Sequence, residues 1–230
     1  MMNTEKQVLI YQKITESNTD DFKRVEQAKD LSKVLDEHFK FDSVECIETG
    51  ASQNFSDGCF GFFLCELIKK YGGTFKSVDI DSSILTSSVK LYDEFYPNLN
   101  IEHYNMDSIK FLQEYNGTPN LVHLDSWDLD LKNPVPSMLH GWLEFQAIKD
   151  KMPSGSIIII DDNYLKDTWV EWNYLKDEEI YNQEIINIAY DIVGKGSLVY
   201  HYCQSYESDW KIIGEHYLPG SRIKVIVQKK

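Results

Sequence analysis

Positive charge is in short supply along this chain. Its 230 residues carry 23 Lys and Arg against 37 Asp and Glu, a formal net charge of −14, and no basic block precedes the terminal Lys229-Lys230 pair. Such a surface repels a phosphate backbone, so nucleic acid is not the expected partner. Cysteine is also sparse. Cys46, Cys59, Cys65 and Cys203 form no CxxC or Cys/His ligand spacing and read as reduced, mostly buried thiols. No apolar run approaches the ~18 residues of a membrane span, and the N-terminus lacks the basic-then-apolar pattern of a signal peptide. The expectation is a soluble, cytoplasmic chain with no membrane partner; its oligomeric state stays open. Glycine spacing excludes something too: seven residues and no further glycine separate Gly50 from Gly58, so the GxGxxG loop that fits a pyrophosphate is missing.

What is present suffices for one sizeable core, since 42% of the residues are apolar. Residues 1–40 read as an N-terminal helical extension, with Val25, Ala28, Leu31, Val34, Leu35 and Phe39 at helical spacing, and residues 41–230 as one main domain. The chain is organised around Ser43 to Asp81. Val44 to Glu48 is a short strand, Thr49-Gly50-Ala51-Ser52 a tight turn, and Cys59 to Lys70 a helix with Phe60, Phe63, Leu64, Leu67 and Ile68 on one face. Gly72-Gly73 ends that helix, and Phe75 to Ile80 is a second strand carrying Asp79 at its carboxyl end. This layout suits a nucleotide-type ligand, whose ribose hydroxyls an acid there can accept from. Glu48, two residues before Gly50, disfavours a phosphate and favours a positively charged ligand.

Further strands follow at Asn100 to Tyr104, Leu121 to Leu124 and Ser156 to Ile160, with helices at Ser82 to Phe95, Ile109 to Tyr115 and Ser137 to Lys149 between them. Strand after strand ends in an acid: Asp79, Asp107, Asp125 and Asp162. In an open parallel α/β sheet these ends share the edge where ligands bind. The competing reading, a helix N-cap, applies well to Asp81 and Asp107. Ser197 to Tyr202 and Ile223 to Val227 read as the last two strands.

At this point motifs resemble a family. Glu48-Thr49-Gly50 resembles the E/D-x-G of motif I of the class I S-adenosylmethionine-dependent methyltransferases, and Val78-Asp79-Ile80-Asp81 resembles their acidic motif II. Leu124-Asp125-Ser126-Trp127-Asp128 and Ile160-Asp161-Asp162-Asn163 resemble segments of the catechol-O-methyltransferase-like and macrocin-O-methyltransferase-like branches, and Pro153-Ser154-Gly155-Ser156 resembles the family's P-G-G turn. The resemblance implies an α/β, doubly wound, mostly parallel seven-stranded sheet of the Rossmann-like methyltransferase type, its last strand antiparallel. It implies S-adenosylmethionine as cofactor, with Glu48, Gly50, Ala51 and Ser52 at the methionine end, Asp79 and Ile80 at the ribose, Asp107 and Ser108 flanking the adenine, and Asp125 nearby. It also implies a divalent cation (Mg, Mn or Ca) on Asp125, Asp162 and Asn163, a hard-ligand set suited to such ions. The alternative for Asp161-Asp162-Asn163 is a turn that caps the next helix.

The general base is where the resemblance breaks. The catechol branch has a lysine three residues after its metal-binding acid, and this chain has Asp128. Asp128 accepts a proton only if burial or a nearby charge raises its pKa, and is otherwise an extra ligand or a cap. His140, on the following helix, is the second candidate base, whereas His123 lies inside a strand and reads as core. Tyr164, Trp169, Trp172, Tyr174 and Tyr181 suit a cover over a small-molecule acceptor with a sugar or phenolic hydroxyl, or else ordinary packing beside the core face of Ile185, Ile186, Ile188, Ala189 and Ile192. Two other function classes remain: a non-catalytic S-adenosylmethionine or nucleotide-binding module, and a nicotinamide-dependent Rossmann oxidoreductase.

Overall fold

A computed structural model describes residues 31, 33–53, 60–130, 133–165, 191–205, 207–217 and 222–230. The expected N-terminal extension falls mostly outside these residues, as do Cys59, Trp169, Trp172, Tyr174, Tyr181 and the run from Ile185 to Ala189. Five strands run parallel: β1 (Val44–Thr49), β2 (Gly73–Asp79), β3 (Ile101–Asn105), β4 (Leu121–Leu124) and β5 (Ile157–Leu165). Three more, β6 (Ile192–Gly194), β7 (Trp210–Tyr217) and β8 (Arg222–Lys229), pair antiparallel. The order across the sheet is β3-β2-β1-β4-β5-β8-β7, with β6 beside the far end of β5. The middle of this sheet is dry: Ile157 to Ile160 are all 0% exposed, as a strand covered on both faces requires.

Helices cover both faces. On one side α1 (Phe60–Tyr71) and α2 (Ser82–Phe95) pack Phe62, Leu64, Ile68 and Tyr92 on Cys46, Phe75, Leu121 and Ile159. Leu31, Leu35 and Phe39 are buried in this same layer, so the described end of the N-terminal segment is part of the core. On the other side α3 (Ser108–Glu114), α4 (Val135–Ile148) and α5 (Ser197–Gln204) set Phe111, Leu112, Phe145, Ile148 and Val199 on Val78, Val122, Ile158 and Val225. Cys46, Cys65 and Cys203 are free and buried. No helix among the described residues is long and apolar enough to cross a membrane.

The α/β, doubly wound architecture is as expected, with three differences. Among the described residues the main path of the sheet has the seven strands expected, and Ile192, expected on a helix face, begins an additional short strand, β6, beside β5. Ser197 to Tyr202, expected as a strand, is helix α5: Val199, Tyr200 and Cys203 are buried, at the three- and four-residue spacing of one helical face. The strand that precedes β8 is instead β7, and β5 continues past Ile160 through Asp161-Asp162-Asn163. Asp81 and Asp107 are N-caps, Asp81 accepting from the Ser83 and Ile84 N–H groups and Asp107 from that of Lys110.

Phe145 is the centre of the α3–α5 layer, fully buried with the rings of Trp142, Tyr202 and Trp210 at 5.7, 5.7 and 5.4 Å. Phe145→Ala is expected to cost about 3–5 kcal/mol in urea unfolding. A loss under about 1 kcal/mol would show that the neighbouring rings close the cavity.

Candidate functional site

Parallel register brings the carboxyl ends of β1, β2, β4 and β5 to one edge, with Thr49 beside Val78 and Leu124, and Leu124 beside Ile160. The turn after β1 depends on Gly50. Its φ is +81°, and a Cβ there would lie 2.2 Å from the Asp125 carbonyl oxygen, so the β1 and β4 turns approach closer than any side chain permits. The Ala51 N–H donates to Asp79 Oδ2 at 2.9 Å, and the Asp81 N–H to Asp79 Oδ1 at 2.8 Å. Asn105 Nδ2 pins the carbonyls of Asp79 and Ile80, each at 3.0 Å. The outcome is a rigid carboxylate whose oxygens keep further lone pairs, next to an Ile80 side chain 72% exposed.

Beside this platform, the loops after β3 and β4 meet α4. Ser126 Oγ donates to Glu144 Oε1 at 2.7 Å and lies 2.8 Å from His140 Nε2, while Ser108 Oγ lies 3.2 Å from the same nitrogen. Trp127 lies over the His140 ring at 5.1 Å. Burial alone would raise the Glu144 carboxyl, but His140, then Ser108 and Ser126, hold it below the ordinary carboxylate range. This network ties Ser108 to the β4 loop and occupies His140. Asp107 is spent as a cap, and Asp128 stands exposed on the loop beyond Trp127.

The edge of β5 carries the main departure from the expected arrangement. Its pairing with β8 slips between Ile160 and Asn163, and Asp162 has φ +50°, the one non-glycine residue with positive φ among those described. This bulge re-aims two consecutive acids that a regular strand would send to opposite faces. Asp161 bonds the Lys224 ammonium. Asp162 Oδ2 lies 3.1 Å from Lys195 Nζ, which also holds Asp125 Oδ1 at 2.5 Å. Burial opposes charge on Lys195, but Asp125 and Asp162 more than restore it and raise its pKa; Asp125 is correspondingly held low despite burial, chiefly by Lys195. Asn163 is 0% exposed, and its amide is used up on backbone: Nδ2 donates to the Ile160 and Asp161 carbonyls at 2.9 and 3.0 Å, and Oδ1 accepts from the Gly196 N–H at 2.6 Å.

The structure therefore does not gather Asp125, Asp162 and Asn163 as three open ligands. Asn163 staples the bulge, and an ammonium sits between the two acids. Another set, His123, Asp125 and Asp161, has ligand atoms within 4.8 Å of one another. Both its carboxylates already bond lysines, however, so a divalent ion would have to compete with two ammonium groups for the same oxygens. The residues present do not fit a divalent cation.

Deeper in, Glu48 is 1% exposed and accepts from Ser77 Oγ at 3.2 Å and Tyr92 OH at 3.1 Å, with His123 Nδ1 at 3.8 Å from its other oxygen. Burial raises the Glu48 carboxyl and lowers the His123 imidazole, so each is pushed toward its neutral form. Ser52, 2% exposed, belongs to the same interior group: a Cβ on Gly61 would meet Tyr92 OH, Glu48 and Ser52 Oγ. Glu48 and Ser52 thus shape the β1 turn from behind, while Gly50, Ala51, Asp79, Ile80 and Asp125 stand at the edge. Lys195, Lys224, Asp161, Ser126 and Glu144 were not anticipated. For Lys195 the sequence offers only its position between two glycines, Gly194 and Gly196.

No protein-family model matches the chain, and no curated protein matches its sequence. Solved structures do match. The O-methyltransferase TomG from Streptomyces achromogenes, in complex with S-adenosylmethionine, aligns with a TM-score of 0.55 at 11% identity, covering 90% of this chain and 80% of that one. An O-methyltransferase from Bacillus cereus in complex with S-adenosylhomocysteine aligns at 0.55 and 12% identity, covering 89% and 80%. An rRNA-methylase candidate from Clostridium thermocellum aligns at 0.54 and 12% identity, covering 88% and 96%. The chain has the class I methyltransferase fold that its motifs resemble.

Two expectations follow from the β1 turn. Gly50→Ala must take a left-handed φ and push the Asp125 carbonyl away, and should lose about 2–5 kcal/mol in urea unfolding; wild-type stability would show that the two turns are free to separate. Glu48 is different, because burial raises its carboxyl. The folded state then holds a proton that the unfolded chain gives up above about pH 4.3, so this group's contribution is present at low pH and lost as pH rises toward the folded value. Glu48→Gln keeps an acceptor for Ser77 and Tyr92 and should melt above wild type near pH ~8, with the gap closing toward pH ~5. A gap that widens on acidification would mean that Glu48 is ionised in the fold.

Proposed function

We propose that this chain is an S-adenosylmethionine-dependent methyltransferase acting on a small hydroxylated acceptor, a sugar or a phenol. The observation that carries this reading is the Asp79–Ile80 platform: a carboxylate fixed by Ala51 and Asp81, with lone pairs left for two ribose hydroxyls, beside an isoleucine held in solvent by its own backbone bonds. That acceptor-and-face set suits a nucleoside. When bound, S-adenosylmethionine supplies an electrophilic methyl that no side chain possesses. Asp79 binds the ribose, Ile80 offers its face to the adenine, and Ser108 is oriented toward that end by Ser126 and His140. Three carboxylates against two ammonium groups leave the β4–β5 edge with net negative charge, which favours a sulfonium over a phosphate.

His140 acts as a positioning residue through the two serines, and Asp128, exposed on the β4 loop, is the acid open to an incoming hydroxyl. The formal charge of −14 supports a small-molecule acceptor over nucleic acid, whose phosphates this surface repels. Calorimetry with S-adenosylhomocysteine, S-adenosylmethionine and NAD tests the assignment. Saturable binding of the sulfur ligands and none of NAD is expected; no sulfur-ligand binding up to roughly 1 mM overturns it. Asp79→Asn should weaken S-adenosylhomocysteine about tenfold to a hundredfold, the loss of one charged hydrogen-bond acceptor. Unchanged affinity would remove Asp79 from the site.

A further inference from the structure

We propose that Lys195, with Lys224 beside it, is a built-in replacement for a divalent cation, so that the acids ending β4 and β5 are held in place without metal. The inference extends the methyltransferase reading above to a metal-independent enzyme. Three carboxylates, Asp125, Asp161 and Asp162, meet two ammonium groups. Lys195 Nζ spans Asp125 Oδ1 at 2.5 Å and Asp162 Oδ2 at 3.1 Å, joining the end of β4 to the bulge of β5 as a bridging ion would. It is 1% exposed, and its backbone is fixed on both sides. Gly194 has φ +136°, with a would-be Cβ 2.1 Å from the Asp162 carbonyl, and the Gly196 N–H is bonded to Asn163.

Charge arithmetic agrees. The five groups sum to −1, close to neutral for a buried cluster, and an added divalent ion would invert that to +1 while crowding two fixed ammonium groups. Lys195 is a positioning residue here: it fixes the Asp125 carboxylate behind the Gly50 turn, which lies against the Asp125 backbone. Lys224 does the same for Asp161, and its ammonium lies 4.8 Å over the Phe60 ring.

The test is a thermal-melt titration of chelator-treated protein with Mg²⁺, Mn²⁺ and Ca²⁺, which needs no cofactor. The wild-type midpoint should stay within about 1 °C, whereas an ion at about a hundred times its Kd would move it by several degrees. Metal-dependent stabilisation that Asp125→Asn removes would overturn the proposal; stabilisation that survives Asp125→Asn reports an ion elsewhere and leaves these acids metal-free. Lys195→Ala frees two facing carboxylates and should gain a metal-dependent rise of several degrees, or fold only with the ion present. A folded Lys195→Ala that gains nothing also overturns it, and should that variant fail to fold under every ion, the wild-type titration decides. Failure of wild type to bind S-adenosylhomocysteine would sink the methyltransferase reading and leave this titration untouched.

Discussion

Charges buried side by side must cancel locally, and the carboxyl edge of this sheet is built to that rule. Asp125 follows β4, Asp161 and Asp162 lie within the neighbouring β5, and Lys195 and Lys224 reach them from two different parts of the chain. On a straight β5 Asp161 would stand opposite Lys224, since Ile160 pairs Val225, but the next residue, Asp162, would alternate to the other face. The bulge solves this by placing Asp162 in left-handed backbone, where aspartate is tolerated better than most residues. That conformation is held, not free: Asn163 bonds the two carbonyls that precede it, those of Ile160 and Asp161, and reaches the turn that carries Lys195. The strained residue, the staple and the lysine are one device.

From that device the electrostatics grade inward. At the rim the acids are paired with lysines; one layer in, burial dominates and pushes Glu48 and His123 toward their neutral forms. Phe60 lies between the two regimes, its ring 4.1 Å from that of His123 and under the Lys224 ammonium. A turn backed by groups that burial holds toward neutrality and faced by acids already fixed by lysines is rigid before any ligand arrives, which is what a preformed site requires.

The first five strands were legible because their signals are local. Ile157 to Ile160 has no polar residue to place it anywhere but the sheet centre, and Gly50 and Asp79 stand where strands stop. The C-terminal third was not. Over eight residues, Ser197 to Gln204 satisfies a short strand and a helix equally in composition, and only burial of Val199, Tyr200 and Cys203 on one face separates them. Within the site, an acid after an apolar run looks the same whether it caps a helix, as Asp107 does, or faces a lysine from 70 residues away, as Asp125 does. Such pairings depend on topology, which composition does not encode. The expected metal ligands failed for that reason: the acids were visible and their counter-charges were not.

The fold leaves the acceptor open, since it is shared with O-methyltransferases and with an rRNA-methylase candidate alike. What separates these uses is the field around the cleft rather than the sheet inside it. A protein that grips RNA needs cations free at its surface to displace counterions from phosphates. Here two lysines nearest the edge are consumed inside it, each against an aspartate, and the chain as a whole is left at −14. The same substitution of lysine for metal that balances the site therefore removes two cations from the surface where a phosphate backbone would lie. The ion pairing that fixes the β4–β5 edge and the shortage of free cations that disfavours a phosphate backbone are then two consequences of one arrangement of charge.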